Sequence, residues 1–398
     1  MKGLYRYLSP FSPDQSGAVA VLYELGGIIV ILDAGGCAGN ICGFDEPRWG
    51  KKQSAVYSAG IRDLDAILGR DERTIDKIGG AVEAVGDAHF IALIGTPVPA
   101  VVGTDLRAMA RMCEKKFDLP TIAIETYGMG YYDTGAELTY MTLIKALEKG
   151  TFDPVFEQQG LPKPSEFCQN FRENPPERDW FEVHTVGVLG ATPLDLLGLD
   201  GAELQRDRIA EVYTGATVKT FGMDSGLFDL LTLFTADRHV VIAPSGLKAA
   251  RYLEQHYGIP FEAEYRVGDE VLEGIFREVT DIMLPGEANV LVLHQQMVGN
   301  GLRGILPFRT TVGTFFELDE ELAEPGDVKF EGEDEVLAFV KNGNFNVILG
   351  DPMYQMALKW WNGLFLPLPQ YSVSGEAHEL REESSLFTEK LRPGTSPA

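Results

Sequence analysis

Two cysteines, Cys37 and Cys42, stand in the segment ILDAGGCAGNICGFDEPRW (31–49). An apolar run ends at Asp33 and Ala34, and a glycine-rich loop follows with Gly35, Gly36, Gly39 and Gly43. Glycines let backbone N–H groups crowd around a bound group. Such donors suit the sulfides of an iron–sulfur cluster and tune its potential. Soft thiolates select such clusters over hard cations. The spacing alone leaves two readings open, a thiolate metal site or an apolar thiol pair in a tight turn. A [4Fe–4S] cluster takes four ligands, and this loop supplies two. Cys113 sits in the helical pattern RMCEKKF as a small core residue, and Cys168 lies in a proline-rich stretch without a neighbouring ligand. If the loop holds a cluster, the missing ligands come most simply from a second chain, which places the cluster at a dimer interface. Asp45 is a weaker candidate oxygen ligand.

Other segments carry less chemistry. In IALIGTPVPAVVGTDLRAM (91–109), Thr104 or Asp105 reads as an N-cap whose helix start could face an anion or a cluster, or simply begin a plain helix. TYGMGYYDTG (126–135) either lines a pocket for a flat ligand or covers a sheet edge. Arg303 reads as a surface cation, and Trp360 and Trp361 as core. There is no Walker A sequence, no strand-linked GxGxxG, no HExxH and no GxSxG. Nucleotide hydrolysis by this chain and zinc-hydrolase chemistry are therefore disfavoured.

The elements that must position the cysteines follow one pattern: a short β-branched run, a Gly/Pro/Ser turn, then a helical period. Candidate strands are 27–34, 89–95, 120–126, 184–190, 239–245, 289–295 and 345–351. Their continuous apolar character suits strands covered on both faces of a parallel sheet. Amphipathic stretches occupy 104–117, 135–150, 246–258 and 333–343, the last two stopping at glycine. This alternation predicts an α/β protein built from doubly wound parallel sheets. Residues 151–181, with five prolines, read as a wrap or linker, and LPGEA (284–288) as a shorter break. The expected units are therefore 1–180, 181–285 and 286–398.

The chain has 398 residues and a formal charge of −25. That charge argues against nucleic acid, which needs a basic footprint, and against an anionic membrane surface. Four cysteines are too few for a disulfide scaffold. The first residues lack the apolar core of a signal peptide, and the longest apolar run, Gly26 to Leu32, is far below the roughly 20 residues of a membrane span. The expectation is a cytoplasmic protein with reduced thiols. The polar C-terminal stretch 382–398 is expected to fray.

Several motifs, in order, resemble those of the nitrogenase component 1 family, which includes the dinitrogenase α and β chains, their cofactor-assembly relatives, dark-operative protochlorophyllide and chlorophyllide reductases, and the reductive cyclase of coenzyme F430 synthesis. DAGGCAGN (33–40) resembles the family's element with the first cluster cysteine, YSAGIRDLDAILG (57–69) a helix start, and IGTPVPAVVGTDL (94–106) the "TCP" element. HTVGVLG (184–190), HYGIPF (256–261), FNVILGDPMYQMA (345–357) and LPLPQYSVSG (366–375) resemble later elements. The resemblance implies three Rossmann-like α/β domains, pairing with itself or with a homologous chain in a dimer or heterotetramer, and a separate ATP-dependent reductase of the iron-protein type as electron donor. That donor would carry the nucleotide site missing here.

The departures from the family pattern are informative. The family's second and third cluster cysteines would fall near Ala55 and Pro97, and neither is Cys. Cys37 carries over directly, and Cys42 is an addition. Two copies of the chain would supply four thiolates, so Cys37 and Cys42 are the expected metal ligands, with Gly36 and Gly39 lining the cluster. The family's cofactor-holding Cys and His have no counterpart. His184, His239, His256, His294 and His378 sit in ordinary strand and turn contexts, so nitrogen fixation is not expected. The leading reading is a nitrogenase-like reductase component with a [4Fe–4S] cluster shared across a dimer interface, and room for a further metallocluster or a substrate in the cleft between domains. The alternatives are a scaffold that builds or carries a metallocluster, and a binding module that has lost the cluster.

Overall fold

The computed structural model describes residues 5–50, 52–69, 71–174, 183–197 and 201–373. Among these residues thirteen strands form three sheets, and every strand pairing within them is parallel. β1 (Ile28–Ile31), β2 (Val56–Ser58), β3 (Ile91–Ile94) and β4 (Thr121–Ile124) make the first sheet, in the order β2-β1-β3-β4. β5 (Thr185–Leu189), β6 (Thr217–Thr220), β7 (Arg238–Val241) and β8 (Phe261–Ala263) repeat that order as β6-β5-β7-β8. β9 (Asn289–Leu293), β10 (Arg309–Thr314), β11 (Val328–Lys329), β12 (Val347–Gly350) and β13 (Leu364–Pro367) form the third, β11-β10-β9-β12-β13. This is the α/β architecture expected from the apolar runs. β1, β3 and β12 are buried at every residue, which is why they read as continuous rather than alternating.

In each sheet the strand order reverses beside the first strand of the sheet. Loops after such strands are where doubly wound folds build sites. The three loops differ in kind. After β5, Thr192 and Asp195 are fully buried, and after β9 so are His294 and Gln295. Gln295 Nε2 donates to Asp195 O at 3.3 Å and to Ile242 O at 3.0 Å, so these two loops close on each other. The loop after β1 carries the half-buried cysteines instead.

Helix Asp14–Leu22 has all nine residues buried, so it shows no amphipathic period. It crosses helix Tyr132–Glu148 through bare backbone. A Cβ on Gly17 would lie 1.8 Å from Tyr132 O, and one on Gly135 1.8 Å from Asp14 O. Upstream, Phe11 and Pro13 bridge to Val373 and Tyr131. Leu8 and Phe11 join a core cluster with Phe315, Phe316, Phe330 and Tyr354.

Several expectations are corrected. The 151–181 stretch is not a bare wrap: helices Asp153–Gln158 and Pro164–Glu173 occupy most of it, each with proline in its first turn, where a missing N–H costs nothing. Residues 175–182 lie outside the described residues, as do His378 and the 382–398 tail. Arg303 is no surface cation. Its side chain is 11% exposed and pairs with buried Asp327 at 2.9 Å, a partner 24 residues away that composition does not reveal. Trp360 is exposed rather than core, while half-buried Trp361 donates Nε1–H to Phe345 O at 3.3 Å. Of the two glycine stops, Gly258 adopts the left-handed cap at φ 63°, whereas Gly343 is extended.

Arg48 fastens the first sheet's unit to the second. Buried with Glu46, it makes two parallel bonds to that carboxylate at 2.8 Å. It donates further to Glu24 at 3.0 Å, Gly222 O at 2.8 Å and Ala20 O at 2.7 Å. Removing one partner of a buried pair leaves an uncompensated charge. Arg48→Ala is expected to lower stability by about 3–5 kcal/mol, read from urea unfolding. An unchanged midpoint would refute this role.

Candidate functional site

Gly35, at φ +117°, turns the chain out of β1 in a conformation that favours glycine. Helix Gly36–Asn40 carries Cys37, and a π-helical turn, Ile41–Asp45, carries Cys42. The turn closes with Glu46 N donating to Ile41 O at 2.8 Å. Wide turns of this kind are frequent at functional sites. Both cysteines are free thiols and half-buried. A Cβ on Gly36, Gly39 or Gly43 would meet nothing within 4 Å. No described residue packs where those side chains would stand, so the loop presents bare backbone beside its thiols.

The loop is held from beneath. Buried Asp33 accepts from Ala38 N at 2.9 Å and from Ser58 Oγ at 2.5 Å, joining the cysteine loop to the end of β2. Asp33 O accepts from Ile61 N at 2.7 Å. Thr96, after β3, donates to Leu32 O at 2.7 Å, accepts from Val98 N, and is a hydrogen-bond neighbour of the Cys37 thiol. The Pro97 position, where the resemblance leads one to look for a third cysteine, therefore follows the residue beside Cys37. Ala55 precedes β2 and is half-buried. Asp45 is buried and accepts from Ser16 Oγ at 2.6 Å and Asn40 Nδ2 at 2.7 Å, which fixes it as a brace between the helix Asp14–Leu22 and the cysteine turn. Asp105, not Thr104, caps the helix Leu106–Phe117, accepting from Ala108 N at 2.8 Å. The 126–135 segment follows the edge strand β4 and is tied down at its start. Its Tyr127 and Gly128 amides donate to Asp14 at 3.0 and 2.8 Å. Cys113 and Cys168 are buried away from solvent.

Burial raises the Cys37 thiol above its ordinary value, and the Asp33 carboxylate adds to the rise. Burial, with Glu46, pushes Cys42 up to about 11. Both are therefore protonated near neutrality, and metal binding must displace those protons. The sign follows directly. Below pH 9 the thiolate fraction of Cys42 is roughly a hundredfold smaller than that of an unperturbed thiol. Metal-free protein is expected to alkylate slowly at Cys42 at pH 8 and faster as pH rises towards 11, measured by mass spectrometry. Rapid labelling at pH 7 would contradict this environment.

The contacts of Asp33, Thr96, Glu46 and Arg48 escaped the sequence reading because they join elements far apart. Only Glu46 and Arg48, opposite charges two residues apart beside the loop, offered a local signal. Among the described residues no group of three or more His, Cys, Asp or Glu is arranged to hold a metal ion. The donor set thus fits half of a four-thiolate site: two soft sulfurs, an open glycine face, and no third ligand group assembled among the described residues.

A family profile, nitrogenase component 1 type oxidoreductase, matches residues 15–282. The chain belongs to this family. A search of curated proteins returns no match. Among solved structures, nitrogenase Cp1 at pH 5 superposes with a TM-score of 0.60 at 16% identity, covering 98% of this chain and 89% of that one. Nitrogenase Cp1 at pH 6.5 gives 0.59 at 16% identity, covering 100% and 92%. These likenesses show that the component 1-type fold extends through the third sheet, beyond the span of the profile match. The cysteine loop and all four strands of the first sheet lie inside the matched span. No helix among the described residues of this component 1-type chain is long and apolar enough to cross a membrane.

Proposed function

We propose that this chain is the catalytic component of a nitrogenase-like reductase in which Cys37 and Cys42 from two chains hold a [4Fe–4S] cluster between them. One observation carries the reading: two free, half-buried thiols stand on a bare glycine face at the open strand-order reversal of the first sheet. Apolar side chains exposed around that end of the sheet support pairing there. Phe44, Leu64, Ile67, Leu68, Val101 and Met129 are 44% to 86% exposed, and such patches mark interaction surfaces. The second chain is another copy or a homologous component 1-type chain. A bound cluster would supply one-electron storage at low potential. Asp33, Thr96 and Asp45 hold the loop in register, and the glycines leave open space beside the thiols for a bound cluster. The electron donor in this reading is a separate ATP-dependent iron-protein-type reductase, and the substrate binds between domains.

The test is anaerobic purification with iron and sulfide analysis. The expected result is about four iron and four sulfide per two chains, with absorbance near 400 nm. Reduction should require both the reductase and ATP. A colourless, iron-free preparation would overturn the reading in favour of a binding module. Iron that moves quantitatively to an acceptor protein would replace it with a metallocluster carrier, and turnover with the reductase omitted would contradict the assigned donor.

A further inference from the structure

A cavity of about 600 Å³ opens between the second and third sheets, with no lining residue from the first. Its wall begins where β8 ends, at Glu264 to Gly268, and is completed by helices Gly201–Val212 and Gln296–Ile305. Pockets of this size at domain junctions and strand C-termini are the usual small-molecule sites.

The cation chemistry inside it is unusual for so acidic a chain. Arg208 Nη1 donates to Arg266 O at 2.6 Å, and no carboxylate among the described residues lies within ion-pairing distance of its guanidinium. Most other arginines of the second and third units are paired: Arg238, Arg251, Arg266 and Arg303 each face an acid. Arg208 is nevertheless built in. Buried Gln205 clamps the Arg266 backbone with Nε2 to O at 2.7 Å and Oε1 from N at 3.0 Å. A Cβ on Gly268 would meet Arg208 Nη2 at 2.0 Å, so glycine there makes room for the guanidinium. The remaining N–H groups of a planar fork suit a carboxylate. Val212, Val267 and Met297 supply apolar wall. Glu211 and Asp269 also line the cavity, and they oppose a ligand with several negative groups.

We propose that this cavity binds a small organic monocarboxylate, its acid group on Arg208 and its apolar body against Val212, Val267 and Met297. The site requires no metal and no second chain.

The probes are naphthalene-1-carboxylate and its neutral amide of the same shape, titrated by calorimetry into the full chain. The carboxylate should bind and the amide bind at least tenfold more weakly. Arg208→Gln should weaken the carboxylate by about tenfold or more and leave the amide unchanged. Because Arg208 also braces the Arg266 carbonyl, a second variant is needed. Gly304→Trp projects into open space, since a Cβ there meets nothing within 4 Å. It should abolish binding of both probes while the thermal midpoint is kept. Equal affinity for the two probes, no binding of either, or carboxylate binding that survives both substitutions would overturn the proposal. Each readout is independent of iron content, so failure here and failure of the cluster reading are distinguishable.

Discussion

Cys37→Ala and Cys42→Ala should each strip the iron from anaerobically purified protein, and reductase activity should fall to background with it. The expected loss is close to complete because the ligand count leaves no reserve. In a pair of identical chains two thiolates each make four, and one substitution removes two of the four at once; beside a homologous partner it removes one, and the site still falls below four. A chain with a third ligand would degrade gradually, but no such group is arranged among the described residues. Neither variant should disturb folding, since both side chains are half-exposed. A melting curve close to the parent's would separate loss of ligand from loss of fold. Retention of iron in both variants would sink the shared-cluster proposal. Cys113→Ala is the informative control. That thiol is buried, burial pushes it up to about 11, and its removal should cost stability through a small cavity without affecting iron.

Substitution at the backbone crossing should be more drastic still. Gly17→Ala and Gly135→Ala each place a methyl carbon 1.8 Å from a carbonyl oxygen of the opposing helix. Backbone cannot yield as the end of a flexible side chain can, so the two helices must separate. Separation pulls on Asp14, whose carboxylate accepts the Tyr127 and Gly128 amides. It also strains the Ser16 to Asp45 bond beneath the cysteine turn. The expected effect is a loss above about 4 kcal/mol, in the exceptional class for single substitutions, seen as insoluble protein or a strongly lowered melting temperature. Gly39→Ala, whose methyl enters open space, should keep the parental fold. A Gly135→Ala protein melting within a few degrees of the parent would refute the packing argument.

Legibility from sequence tracked the range of the interaction concerned. β1 and β3 were readable because burial on both faces writes itself as an unbroken apolar run. The Asp105 cap was readable because its partner is three residues away. Helix Asp14–Leu22 was not. Enclosure on every side erases the periodicity that marks a helix, and its crossing depends on Gly135 far along the chain. Arg303 and Trp360 misled for the opposite reason, since residue type alone does not say whether a partner such as Asp327 will be present. In the candidate site, the thiols and glycines stood out by type and spacing. The carboxylates and hydroxyls that hold them emerged only once β1, β2 and β3 lay side by side.

The pairing of Phe11 and Pro13 with Val373 and Tyr131 bears on how the molecule comes into being. The strip 8–13 finds one of its neighbours only when residue 373 has been synthesised. Until then Leu8 and Phe11 have no completed core to enter. Leu8 and Phe11 would stay unsheltered while the long stretch between them and these partners is made, which makes them natural contacts for a chaperone. Because residues 11 and 373 are adjacent in the finished fold, a rearranged gene that brings these two segments close in sequence would let that seam form early.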